Sequence, residues 1–337
     1  MNLTRAISEP LARQIAFHDS FNRNVKLTFG ALTRLGETAR SHGQELLPTG
    51  GEPWGAPRKL RNPDTDIPLA TAFLSEIGLV RAASAFEDFL TGIGAELDRC
   101  EFRKRAVAGG TPTEASDRPS GSAKDEEATQ ASLGRIAKRL DIVQDEMADD
   151  LTMAKFFDVA RNCVVHRSGR ASESLAKMHA SEEMAAALKT WPRRVGKWAI
   201  GVPKVTRGQA VAWLPRHAIM ASAVYHRCAV AVDKKAVSLL GDRGLVAMAA
   251  HWGLLDDAPV PVETTVDAQS LVLTLLMRRY HVREVNKSEV VALLRECGIW
   301  AGVRKSFEER ALTMPSRAKR RAAGKAEAGA GKRSKRA

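Results

Sequence analysis

Between Leu69 and Arg99 apolar side chains return at steps of mostly three and four, at Phe73, Ile77, Val80, Ala83, Phe86, Leu90, Ile93 and Leu97. That is the helical period, sustained for about eight turns, and it predicts one long helix with an apolar stripe. The composition supports helices elsewhere too. Aromatic residues make up only 5% of the chain and Tyr occurs twice, which disfavours an extensive sheet. The expected fold class is mainly α: a helical bundle with additional helices at both ends and one candidate β-hairpin.

The organisation follows from breaks in this pattern. Residues 1–44 form an N-terminal helical segment, with Ser8 as N-cap and Pro10 in the first turn. Leu11, Ile15, Phe17, Phe21, Val25, Leu27, Leu32 and Leu35 follow at loosely helical spacing, read as two short helices. Residues 45–68 are rich in Pro and Gly and predict a linker. A central helical domain is expected over 69–241, interrupted by a polar, small-residue insertion at 105–127 that is expected to be flexible. Inside it a Ser181-Glu182-Glu183 start predicts a helix ending before Trp191-Pro192, and 197–215 is the hairpin candidate. A helix from about His217 to Leu240 is stopped by Gly241. Residues 242–315 form a C-terminal helical extension of three or four helices, in which Asn286-Lys287-Ser288-Glu289 reads as a capping box. Residues 316–337 are a disordered basic tail.

Charge and cysteine narrow the function. The whole chain carries +13, and from Arg317 onward nine Lys or Arg face the single Glu327, so the tail alone carries +8. Such a tail either keeps the chain soluble or attracts phosphates without reading sequence. Cys100, Cys163, Cys228 and Cys297 lie far apart with no CxxC pair, so neither a zinc site nor a disulfide framework is expected, and no cofactor is implied. No apolar run of about 20 residues is expected and charges interrupt the N-terminus, so no membrane role is expected and the chain is assigned to the cytoplasm.

One stretch carries chemistry: Phe-Phe-Asp-Val-Ala-Arg-Asn-Cys-Val-Val-His-Arg-Ser-Gly-Arg-Ala-Ser, residues 156–172, with Arg161, Asn162 and His166 within six residues. On an ideal helix Arg161 and His166 stand about 140° apart. A shared site therefore requires the helix to end near His166, a wide groove, or a second copy facing the first. The residue types suit phosphodiester cleavage. Histidine moves protons near neutral pH, and arginine offers a fixed cationic fork to a phosphate whose charge grows in the transition state. RNA brings its own nucleophile, the 2′-hydroxyl. In the structural alternative Arg161 pairs with a carboxylate such as Glu87 or Asp88, and His166 meets the negative end of its helix. Arg167 and Arg170 line the approach for an RNA backbone or are ordinary exposed arginines.

Arg161-Asn162-Cys163-Val164-Val165-His166, followed by Gly169 and a small-residue start to the next helix, resembles the R-N-x3-H form of the R-x4–6-H motif of the HEPN superfamily. The layout is similar too. A leading helix with an acidic and aromatic centre, Ala85-Phe86-Glu87-Asp88-Phe89, precedes the motif, and a long helix follows it. The resemblance covers about residues 69–241. It implies a compact bundle that forms a homodimer and cleaves RNA without a metal, as toxin or phage-defence effectors do, leaving 2′,3′-cyclic phosphate and 5′-hydroxyl ends. It also implies Arg161 and His166 as the catalytic pair with Asn162 orienting, RNA as partner, and a cognate antitoxin or regulatory protein. The other reading within the family is a non-catalytic dimerisation or adaptor module that binds nucleic acid or a protein.

Overall fold

A computed structural model describes residues 6–42, 62–107, 133–142, 144–195, 201–255, 267–283 and 285–313. The described residues are mainly helical and contain no strand. The chain divides into two compact units, Ile7–Leu239 and a second made of Met1–Ala6 and Leu240–Ala337.

In the first unit α1 is a single helix, Glu9–His42, where two short ones are expected. The buried or half-buried positions Phe21, Val25, Phe29, Leu32, Leu35 and Ala39 keep the helical period through the polar Asn22-Arg23-Asn24 stretch, which leaves no reason to break. Ser8 caps it, its Oγ accepting from Leu11 N at 3.2 Å. The next helix, α2, spans Pro63–Val107. It starts six residues earlier than the apolar pattern suggests because Asn62 caps it, accepting from Asp64 N at 3.0 Å, with Pro63, Asp64 and Asp66 in its first turn. The end of the expected linker and the start of the expected insertion are thus helical, and residues 43–61 and 108–127 lie outside the described residues.

Leu79, Ala82, Ala83, Phe86, Phe89, Leu90, Ile93 and Leu97 of α2 are buried in the core. Burying each phenylalanine contributes about 1.5–3 kcal/mol, more than the roughly 1 kcal/mol that a helical glycine costs. Gly92 uses that margin for a close approach: a Cβ there would stand 2.8 Å from Pro10 Cγ. Within Pro63–Asp98 an 18-residue window reaches a mean hydropathy of 1.3. One helix is therefore long and apolar enough, by length and composition, to cross a membrane, although Glu76 and Arg81 interrupt its apolar run.

A short helix at 133–139, α3, leads to α4, Gln144–Arg167. Two shorter helices follow, α5 at Glu173–His179 and α6 at Glu182–Val195. Ser172 and Ser181 cap them, accepting from Leu175 N at 3.0 Å and Met184 N at 3.2 Å. α6 runs on through Trp191-Pro192 instead of stopping before it, and Trp191 is buried in the core, so packing holds a turn that local preference disfavours. α7, Pro215–Ala250, is broken at Gly241 by φ 60° and ψ −174°.

Residues 197–200 of the expected hairpin lie outside the described residues, and its described part forms no strand. Residues 201–214 are irregular, with one isolated antiparallel bridge between Arg170 and Ala210. Pro203 has no N–H to give a ladder. Instead the segment bonds to the loop after α4: Ala171 N donates to Gln209 O at 2.9 Å, Val211 N to Gly169 O at 3.1 Å and Gly208 N to Ala171 O at 2.9 Å. The motif loop is therefore pinned by backbone groups, with Trp213 buried beneath it in the core.

In the second unit a π-helical turn, His251–Leu255, continues from α7, and α8 (Ala268–Arg279), α9 (Lys287–Glu296) and α10 (Trp300–Thr313) follow. The expected cap is present, Asn286 Oδ1 accepting from Glu289 N at 2.8 Å. The basic tail lies outside the described residues.

Candidate functional site

The motif occupies the last turns of α4. Ser168 and Gly169, at φ 49° and 75°, turn the chain back, and Gly169 N closes the end by donating to Cys163 O at 3.1 Å. A side chain at Gly169 would be strained by its φ of 75°, and a Cβ there would stand 2.6 Å from Glu76 Oε1, so that carboxylate would have to move. His166 and Arg167 thus fall in the final turn, where cations meet the helix dipole favourably.

Arg161 points to α2. Its Nη2 lies 3.2 Å from Glu87 Oε1 and 3.3 Å from Oε2, and its Nη1 donates to Asn162 Oδ1 at 2.9 Å. The side chains of Arg161 and Glu87 are only 21% and 29% exposed, and Arg161 Nε is buried with no partner. A half-buried guanidinium without a carboxylate would be costly, so Glu87 both satisfies Arg161 and fixes its direction. Asp88, the other expected acid, does not join them. It is exposed, on a recess of about 170 Å³ beside Arg13 and Gln14 of α1.

His166 is exposed, and its side chain forms no hydrogen bond or ion pair among the described residues. Because α4 stays helical through Arg167, Arg161 and His166 remain about 140° apart within one chain. Arg170 donates from Nη1 to Gly208 O at 3.3 Å and so helps staple the motif loop.

Behind Arg161 lies a buried pair that sequence reasoning did not single out. Asp158, one turn earlier on α4, accepts the Tyr225 hydroxyl at 2.7 Å, and Tyr225 stacks on Phe86 with ring centroids 4.9 Å apart. Burial pushes the Asp158 carboxyl up to about 7; the Tyr225 hydrogen bond opposes this, Glu87 adds to it and Arg161 offsets it. The signal in the sequence was faint: an acid three residues before Arg161 and one of two tyrosines in the chain. Cys163 and Cys228 are buried free thiols. Burial pushes the Cys228 thiol up, which makes it a poor nucleophile. Among the described residues no three His, Cys, Asp or Glu side chains gather as a metal site.

The other flank of α4 is open. A cleft of about 770 Å³ lies between α4, α5 and α6, with Lys155, Asn162 and Arg167 from α4 and Ser174 and Lys177 from α5 on its walls. Among its described lining residues the one acid is Glu183, held below its ordinary range by its own backbone N–H and the Ser181 hydroxyl. Asn162 belongs to both flanks. Its Oδ1 receives Arg161, which leaves its NH₂ group as a donor on the cleft side.

Fold and site together describe a helical protein whose motif helix carries a fixed arginine and a free histidine. Comparisons with protein-family models, with curated proteins and with solved structures return no match.

Proposed function

We propose that the first unit is a HEPN-type, metal-independent endoribonuclease that works as a homodimer. The observation that carries this reading is the pairing of an arginine held by Glu87 and Asn162 with an exposed histidine five residues on, at a helix end pinned by Gly169. In the reaction His166 takes the proton from the RNA 2′-hydroxyl as it attacks the adjacent phosphorus. Arg161 stabilises the pentacoordinate phosphate, and Asn162 orients either group. The proton passes to the leaving 5′-oxygen, so the products are a 2′,3′-cyclic phosphate and a 5′-hydroxyl.

The angle between Arg161 and His166 is the reason for invoking a second copy, whose own pair completes the site. An apolar face supports this. Leu69, Phe73 and Ile77 of α2 are exposed, as is Val165 beside His166. On an ideal helix those three residues project within about 80° of the direction of Glu87, so the apolar face lies on the same side of α2, about 15–27 Å along its axis from the ion pair. A toxin or phage-defence role with a cognate antitoxin or regulator, and a cytoplasmic site of action, complete the proposal.

The test is incubation of the protein with total tRNA and a mixed RNA pool in EDTA, beside His166→Ala, with end-group analysis of the fragments. Cleavage by the wild type alone, leaving cyclic phosphate ends, is the expected result. The Arg161–Glu87 ion pair favours a second reading, a non-catalytic module that binds nucleic acid or a protein, because it gives the arginine a structural task. Absence of cleavage with equal RNA binding by both proteins would select that reading.

A further inference from the structure

Three cations line the cleft between α4, α5 and α6, and none is closed in a buried pair; the one acid among the described lining residues, Glu183, feels the charge of Lys155. Lys155 and Arg167 are exposed and form no ion pair among the described residues. Lys177 meets Glu173 at 3.0 Å, but Arg207 also holds Glu173, at 3.3 Å, and all three side chains are exposed. Such a pair is worth little and exchanges readily for another anion, with Arg207 still attached to Glu173. Hydroxyls add donors. Ser172 uses its oxygen as the cap acceptor for α5, which leaves its O–H proton free, and Ser174 is exposed two residues on.

The volume, about 770 Å³, is that of a ligand site rather than a surface dimple. Among its described lining residues there is no aromatic side chain on which a base would stack. The chemistry is therefore that of phosphate and ribose hydroxyl recognition, indifferent to base identity. Position adds the last constraint: Asn162 and Arg167, the immediate neighbours of Arg161 and His166, form the near wall.

From this we infer that the cleft is the track for the RNA strand flanking the scissile bond, with Lys155, Arg167 and Lys177 each meeting a backbone phosphate and the Asn162 amide handing the strand to Arg161. The choice of RNA rests on the nuclease reading; the phosphate-binding character of the cleft does not. Lys155 stands for the far end of the α4 wall, Lys177 for the α5 wall and Arg167 for the end nearest the reacting phosphate.

Lysine acetylation of the full-length His166→Ala protein, read residue by residue by mass spectrometry, tests this without interference from cleavage or from the basic tail. A single-stranded RNA oligonucleotide held at ten times its Kd leaves Lys155 and Lys177 about tenfold slower to react, while exposed Lys189 on α6 keeps its rate. Lys155→Ala and Lys177→Ala each lower the salt slope of RNA binding by about 0.7. Protection confined to the tail lysines, with Lys155 and Lys177 reacting at the free rate, would overturn the proposal even if the wild type cleaves RNA. A third arm uses 5′-AMP: equal protection by it at lower concentration than the oligonucleotide would overturn the strand track in favour of a small phosphoester. Protection by the oligonucleotide in a protein that does not cleave would keep the cleft and sink the nuclease reading alone.

Discussion

The two flanks of α4 treat charge in opposite ways. Toward α2 and α7, Arg161 is closed by Glu87 and Asp158 by Tyr225. Toward α5 and α6, Lys155 and Arg167 stand in solvent around a cleft and form no direct ion pair among the described residues, Lys155 acting on Glu183 only through its charge. The difference is one of desolvation. A charge out of water must be paired or it neutralises, whereas an exposed charge stays unpaired at no cost to the fold. Charges on the closed flank are thus part of the architecture, and those on the open flank stay in solvent. His166, exposed at the end of the same helix, belongs to the second kind.

That contrast breaks or holds on four measurements. The largest effect is expected at the open end. His166→Ala lowers the RNA cleavage rate by about 10²–10⁴-fold while leaving the urea midpoint within the error of a surface change. Undiminished cleavage by this variant would remove the proposed mechanism. On the closed flank Tyr225→Phe costs about 1–3 kcal/mol in urea unfolding, because the Asp158 carboxyl loses its buried donor. A loss near zero would mean that this flank is not closed in solution.

The third concerns pH. Asp158 has a folded value of about 7 against an ordinary 3.8, so the folded protein holds its proton more tightly than the unfolded chain. The resulting stability is present below about pH 4 and is lost as pH rises through 7. Asp158→Asn keeps an acceptor for Tyr225 and removes that slope, on the order of 1 kcal/mol per pH unit inside the window. Comparing the two proteins cancels Asp233, pushed up to about 6 by burial, and His217, pushed down to about 4 by burial. Parallel stability curves would show that Asp158 does not titrate there. The smallest effect is on the open flank: Lys155→Ala shifts unfolding free energy by less than about 0.5 kcal/mol. A larger loss would assign that lysine a task in the fold.

Much of the helical layout was readable along the chain. The stripe from Ala83 to Leu97, the starts at Ser8, Ser181 and Asn286, the turn at Gly169 and the break at Gly241 all arise from contacts within a few residues, which local periodicity and capping chemistry report, whereas Phe73 and Ile77 of the same pattern are exposed. Three readings went astray where a distant contact overrode a local preference. α1 continues because its buried stripe does, α6 passes Pro192 with Trp191 in the core, and residues 201–214 bond to the motif loop instead of pairing as two strands.

The motif itself, Arg161 through His166 with Gly169 behind it, was visible in the sequence, as was the need for an acid near Arg161. Which acid was not. Glu87 and Asp88 are neighbours in sequence but project about 100° apart on α2. Only the rotation of α2 against α4 turns one toward Arg161 and leaves the other exposed beside α1. The same holds for Tyr225 beneath Asp158 and for the meeting of Lys155, Arg167 and Lys177 across one cleft. Period and caps are written in steps of three or four residues, but a side chain's partner depends on how whole helices roll against each other, and that is decided only when their apolar stripes pack.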